Sequence, residues 1–333
     1  MTTPRRRARV WGFVLTCACA VALAVGYASI AMSRRSPSAA PAGGVTLRAA
    51  PPSRPYLVVS SAHPGDTWGR LVLVSAAAPS EGVFPTTLAC ERAHMAAGRG
   101  SCLKQDRTTA AYTQEIFDEG FLVRHRVPLT GVPSRTRVSP DGRWAAATVF
   151  EHGHSYADEG YSTRTTLVDT ASGRVVADLE QFEIERDGRR FANVDFNFWG
   201  VTFAPDSDTF YATLSSGGVN YLVTGRASTR RARVLRTGVE CPSLSPDGTR
   251  IAYKHLVGPG AWQLRLLDLR TGAERDLSSE ARSLDDQVDW LDDAHVIYQM
   301  VGAGGASVWQ MAIDTPASPR LLVDRAFSPS VIR

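Results

Sequence analysis

TRVSPDGRWAAATVF, residues 136–150, reads as a short strand, a tight turn and a second, largely apolar strand. Its Ser139-Pro140-Asp141-Gly142 core has turn chemistry. Proline presets φ at the first corner, aspartate bonds back to nearby amides, and glycine accepts the positive φ that follows. The unit returns as VTFAPDSDTFYATLS (201–215), PSLSPDGTRIAYKHL (242–256) and VDWLDDAHVIYQMVG (288–302). The turn acids Asp141, Asp206, Asp247 and Asp292 are spaced by 65, 41 and 45 residues, and the fourth copy keeps the acid while losing proline and glycine. Periods of about 40–50 residues with several strands each are propeller-blade periods. The long first interval predicts an insertion between Glu151 and Arg190.

After each copy comes a further apolar strand and a polar turn, as in WQLRLLDLRTGAERDLS (262–278), so each unit supplies four strands. Helical periodicity is absent from residues 56–333, apart from a short helical turn expected near Ala93–Gly98. Residues 56–134 lack the turn signature but hold apolar strands enough for two more blades. The expected fold class is all-β: one β-propeller of six four-stranded blades over residues 56–333, with seven blades the alternative count. Phe327–Ile332 looks like the opening of another copy, expected to pair with the first blade and close the ring, which removes exposed sheet edges.

Repeated four-stranded units with an S-P-D-G turn resemble the TolB-like propeller family, also described as WD40-like or PD40 repeats, over residues 135–333. The resemblance implies a propeller of four-stranded blades. TolB also carries an α/β domain before its propeller, and nothing between residue 36 and the first strands reads as one.

Upstream, VWGFVLTCACAVALAVGYASIAM spans Val10–Met32, 23 residues without a charge. At ~1.5 Å per residue that crosses ~30 Å of hydrocarbon. The basic tail 1–9 carries four arginines, and Arg34-Arg35 close the segment. The stretch reads as a transmembrane signal-anchor helix, with the N-terminus cytoplasmic and the remainder extracytoplasmic at the cell membrane of a bacterial envelope. A cleaved signal peptide is the competing reading, but its apolar core is usually only ~7–15 residues. Residues 36–55, with five prolines, read as an extended linker.

Charge follows this division. Six of the 37 basic residues precede Ser36 with no acid among them, so 31 basic residues remain against 33 acids. A body so close to neutral lacks the basic stripe that nucleic acid requires, and no nucleic-acid partner is expected. Cys90 and Cys102, with eleven residues between them across a turn-prone segment, are expected to form a disulfide in an oxidising compartment. Cys241 is expected to be a buried thiol.

Reactive side chains concentrate at 151–164. His152 and His154 would share a face of an extended segment, and Tyr156 and Asp158 follow within reach. Such a lone pair of histidines falls short of a metal site, so no metal or cofactor is expected; the four residues stand as candidate ligand or partner contacts. Asp195 and Asn197 alternate with apolar neighbours and are candidates for a channel mouth. The five acids of Ser283–Asp293 do not follow calcium-loop spacing and are expected to bond turn amides, with Trp290 packed between blades. Gly153-His154-Ser155-Tyr156-Ala157 lacks the second glycine and the strand–turn–helix setting of a nucleophile elbow. The function expected is that of a membrane-anchored, non-catalytic module binding a protein or envelope component. The alternative is a ligand sensor or metal-dependent enzyme built at the channel mouth.

Overall fold

The S-P-D-G turns form as their chemistry demands. Ser139 Oγ donates to Asp141 Oδ1 (2.7 Å) and accepts from the Trp144 amide (2.9 Å), while the Gly142 amide donates to the Ser139 carbonyl (2.8 Å) with φ at 77°. Ser245, Asp247 and Gly248 repeat the arrangement, with Gly248 at φ 72°. In the second copy Ser207 stands in the glycine position and takes φ 59° itself. Its hydroxyl accepts the Asp141 amide of the preceding blade's turn (3.0 Å), and Asp293 likewise accepts the Asp247 amide (3.0 Å). The turns therefore link blades as well as strands.

The computed structural model describes residues 45–106, 108–153, 160–277, 279–315 and 317–333. The expected membrane segment Val10–Met32 lies outside the described residues. Among those described, no helix is long and apolar enough to cross a membrane.

Six sheets follow one another along the chain. Blade 1 contains β1 (Tyr56–Ser61), β2 (Arg70–Ser75) and β3 (Val83–Ala89). Blade 2 is β4 (Arg92–Ala96), β5 (Arg99–Gln105), β6 (Tyr112–Asp118) and β7 (Val123–Leu129). Blade 3 is β8 (Val132–Val138), β9 (Trp144–His152), β10 (Ser162–Asp169) and β11 (Arg174–Asp178). A hairpin of β12 (Glu183–Arg186) and β13 (Arg189–Phe191) precedes blade 4, made of β14 (Asn197–Phe203), β15 (Thr209–Ser216), β16 (Val219–Arg226) and β17 (Arg231–Thr237). Blade 5 is β18 (Glu240–Leu244), β19 (Arg250–Gly258), β20 (Ala261–Asp268) and β21 (Glu274–Asp276). Blade 6 is β22 (Asp289–Asp292), β23 (His295–Gly302), β24 (Gly305–Ala312) and β25 (Arg320–Val323). Last comes β26 (Ala326–Ile332), which pairs antiparallel with β1 (Tyr56↔Ile332, Leu57↔Val331) as the innermost strand of blade 1. The ring is thus a six-bladed propeller closed by the strand expected to close it.

Three details differ from the sequence reading. Ala93–Gly98 is not helical: it is the end of β4 and its hairpin turn, because Ala93 and Met95 point into the apolar seam between blades 1 and 2. The inserted segment is the β12–β13 hairpin, which lies parallel to β17 and widens blade 4 to six strands. Part of the expected linker is docked: Val45 packs on the apolar seam of blades 6 and 1, and the Thr46 carbonyl and Arg48 amide bond Val83 of β3 (2.9 and 2.8 Å).

The core is distributed as six apolar clusters, one between each pair of neighbouring blades. Trp290, fully buried, fills the seam of blades 5 and 6, and its indole N–H donates to the Ser243 carbonyl (2.9 Å). Cys90 and Cys102 are disulfide-bonded, tying the connector after β3 to β5. Cys241 is a buried free thiol.

Candidate functional site

Inner strands of a propeller converge on the axis too steeply to pair with one another through their backbones, so amides facing the channel need other acceptors. Side chains supply them at a recurring register. The Val138 amide donates to His94 Nδ1 (3.0 Å), the Leu244 amide to Thr202 Oγ1 (3.2 Å), the Val331 amide to Asp289 Oδ2 (3.1 Å) and the Met95 amide to Ser330 Oγ (3.1 Å). In each case the acceptor sits on one inner strand and the donor on the inner strand of the next blade.

All of these residues except Ser330 line a cavity of 390 Å³ at the end of the channel bordered by Pro140, Pro205 and Pro246 of the repeat turns. Arg137 Nη1 donates to Asp289 Oδ1 (3.0 Å) and Nη2 to the Val288 carbonyl (3.1 Å). Burial, the largest single influence, pushes the Asp289 carboxyl up, but the Arg137 guanidinium facing it, joined by Arg333 and the Val331 amide, brings it below the usual carboxylate range. His94 is pushed down to about 3, chiefly by burial and then by the neighbouring Arg137 charge. Its imidazole is therefore neutral, with Nδ1 occupied as an acceptor and Nε2 3.8 Å from Asp289. Arg54 and Arg333 complete the mouth, with Arg54 Nη1 donating to the Arg333 carbonyl (3.1 Å) and Arg333 to the Trp290 carbonyl. The mouth thus holds three arginines against one carboxylate.

Further in, the channel narrows to a void of 30 Å³ lined by Arg92, Arg135, Asp286 and Gln287. Gln287 Nε2 bridges the Val201 and Pro242 carbonyls (3.1 and 2.8 Å), and Lys254, fully buried over the Trp262 ring, pairs with Asp285. The acids of Ser283–Asp293 thus bond the channel wall as well as turn amides.

The described candidate contacts singled out in the sequence do not line the 390 Å³ cavity. His152 is the exposed last residue of β9. His154, Tyr156 and Asp158 lie outside the described residues. Asp195 accepts from Ser216 Oγ and the Gly217 amide (both 2.7 Å), bonds that hold its carboxyl below the ordinary value. Asn197 Oδ1 accepts the Thr163 amide (2.7 Å) and its Nδ2 donates to the Asp195 carbonyl (3.0 Å). The structure brings Asp195 and Asn197 together at the seam of blades 3 and 4, at the end of β14 away from the 390 Å³ cavity and outside its lining. Among the described residues no three His, Cys, Asp or Glu side chains are grouped to hold a metal ion.

Sequence reading passed over His94 and Arg137 and noted Asp289 only among the acids expected to bond turn amides. A partial signal was present: three residues before the turn proline the first three copies carry Arg137, Thr202 and Ser243, polar in each case, whereas the fourth copy has Val288 there and Asp289 one residue later.

No family model matches this chain, and no curated protein matches it. Solved structures resemble it in fold. TolB from Acinetobacter baumannii is 16% identical with a TM-score of 0.56, over 84% of this chain and 66% of that one. A putative TolB from Agrobacterium tumefaciens is 12% identical with a TM-score of 0.51, over 81% and 88%. A puromycin-hydrolyzing peptidase of Mycobacterium tuberculosis is 16% identical with a TM-score of 0.50, over 82% of this chain and 44% of the peptidase. This chain therefore spans just under two thirds of the Acinetobacter TolB and less than half of the peptidase. Identity this low speaks for fold, and activity does not follow from it. The chain has a TolB-like six-bladed β-propeller fold.

Proposed function

We propose that this protein is a membrane-anchored, extracytoplasmic binding module whose propeller receives a protein or envelope component at the channel mouth, without catalysis. The observation that carries the reading is the commitment of the mouth's reactive groups to one another. Asp289 is held by Arg137 and the Val331 amide, and the acceptor nitrogen of His94 is used by the Val138 amide. A general base needs a free lone pair near its substrate, and a nucleophile needs such a base beside it. What the mouth offers instead is a concave, polar surface with an excess of arginine, suited to an anionic group on a partner. The uncharged Val10–Met32 segment between flanking arginines supports the anchor.

A photo-crosslinking residue placed at Ala97, an exposed residue of the mouth, and at Val175, on the outer strand β11, tests this in intact cells of the native host. Discrete adducts from position 97 and none from 175 are expected. Adducts equally frequent at both positions, or none at 97, would overturn the reading. A reporter active only outside the cytoplasm, fused after Arg333, is expected to be active; an inactive fusion would remove the proposed topology.

A further inference from the structure

Blade 4 departs from the four-stranded plan of the other five sheets, and the departure builds a groove of 590 Å³. The inserted hairpin joins the outer edge of blade 4 through parallel pairing of β12 with β17, Glu183↔Arg231 and Glu185↔Arg233. Side chains two residues apart share a face of a strand. Leu222 and Leu235 pack in the seam with blade 5, so Thr224 and Arg226 on β16 and Arg231 and Arg233 on β17 continue that same face outward. Blade 5 covers the face near the axis, where Leu222 is buried; further out Arg226, Arg231 and Arg233 are exposed. The groove is therefore a sheet face that the ring leaves uncovered, lengthened by two strands that ring closure does not use.

Its charge is specific to the place. Arg226 is paired with Asp208 and Arg231 with Glu183, both at 2.9 Å. Arg189, Arg190 and Arg233, all exposed groove residues, form no ion pair among the described residues. Arg190 and Arg233 lie on one face, each opposite Glu185, with Arg189 beside them at the hairpin end, and such unpaired guanidinium groups are a standing attraction for carboxylates, which arginine binds in a forked, two-bond geometry. Two glutamates, Glu183 and Glu185, share the lining, which disfavours a ligand of uniform negative charge such as a phosphate polymer. At the rim, β13 is the outermost strand of the sheet, so among the described residues one edge of its backbone has no neighbouring strand.

We infer that this groove docks an extended acidic polypeptide segment of another protein, its backbone beside the free edge of β13 and its carboxylates on Arg190 and Arg233. An extended chain presents alternate side chains about 6.6–6.8 Å apart, the spacing of Arg231 and Arg233 along β17 and of Glu183 and Glu185 along β12. The site is separate from the channel mouth and stands whether or not the mouth binds a partner.

The test uses the purified full-length chain and fluorescent peptides about ten residues long, alternating Glu with Val or Gln with Val, read by anisotropy. The Glu peptide is expected to bind at least about tenfold more tightly than the Gln peptide, and to weaken as salt is raised to about 0.5 M. Arg190→Glu combined with Arg233→Glu is expected to weaken it at least about tenfold. Both side chains are exposed, and unchanged circular dichroism and melting temperature establish that the variant is folded; Arg190→Ser with Arg233→Ser, without charge reversal, should lose affinity in the same direction. Arg333→Glu, at the channel mouth, is expected to leave binding intact. Equal binding of the two peptides, no effect of the groove variants, or loss of binding with Arg333→Glu alone would each overturn the inference. So would tighter binding of polyphosphate or of vesicles rich in phosphatidylglycerol than of the Glu peptide.

Discussion

Arg137 and Asp289 lie 152 residues apart in the chain and meet across the propeller channel, Nη1 to Oδ1 at 3.0 Å, with both side chains buried. One comes from blade 3 and the other from blade 6, on opposite sides of the ring. Asp289 also accepts the Val331 amide of the closing strand, so one carboxylate joins three inner strands.

Removing that charge should therefore cost more than a surface ion pair would. Asp289→Asn leaves Arg137 as a buried cation without its counter-charge, and breaking such a pair typically costs about 3–5 kcal/mol. Urea denaturation of the variant is expected to show a loss of at least about 2 kcal/mol. A midpoint unchanged from the parent would show that the pair contributes little.

Acid should weaken the fold first through His94. Its folded value, about 3, lies below its ordinary 6.5, so on acidification the unfolded chain takes up a proton that the folded chain does not. The stabilisation is whole above pH 6.5 and is lost as pH falls toward 3, by at most about 1.4 kcal/mol per pH unit. His94→Asn keeps an acceptor for the Val138 amide and has no proton to gain. Its melting temperature is expected to fall less than the parent's between pH 7.5 and 5; parallel falls would count against the assignment.

Glu180 works in the opposite sense. Burial raises its carboxyl well above the ordinary range, an effect reinforced by Asp178, although it accepts the Thr165 and Phe198 amides. A raised carboxyl in the fold means that stability is lost as pH rises from 4.5 through the folded value. Glu180→Gln should therefore be more stable than the parent at pH 8, with the gain shrinking at pH 5. A gain of equal size at both values would rule out titration as the cause.

The stitches between inner strands can be tested singly. Thr202→Val keeps shape and removes the acceptor of the Leu244 amide, leaving a buried donor unpaired at about 1–3 kcal/mol. Faster hydrogen exchange at the Leu244 amide should accompany the loss, and exchange no faster than in the parent would dismiss the stitch.

Much of this architecture was legible in residue order. A turn such as Ser139-Pro140-Asp141-Gly142 is a local object: proline's fixed φ, a carboxylate two residues from its amide and a glycine at 77° need no distant partner. Copies at blade spacing then announce the propeller. The disulfide was legible as well, because Cys90 and Cys102 flank one hairpin and the Cα atoms need only come to 5.4 Å. The channel site was not. His94, Arg137 and Asp289 come from three blades, and their register becomes a shared ring only once β26 has paired with β1. Asp195 and Asn197 drew notice as alternating polar residues, but alternation says which residues share a face and leaves open what that face meets.

The groove of blade 4 shows the same division. An interval of 65 residues where its neighbours have 41 and 45 announces that something is inserted. That the insert becomes a hairpin parallel to β17, and sets Arg190 beside Arg233 across β12, depends on which sheet edge was free to receive it. Turns and periods follow from covalent geometry and short-range bonding, which are written residue by residue. Neighbours across a ring follow from closure, a property of the whole chain, and the groups they bring together take their ionisation from that meeting.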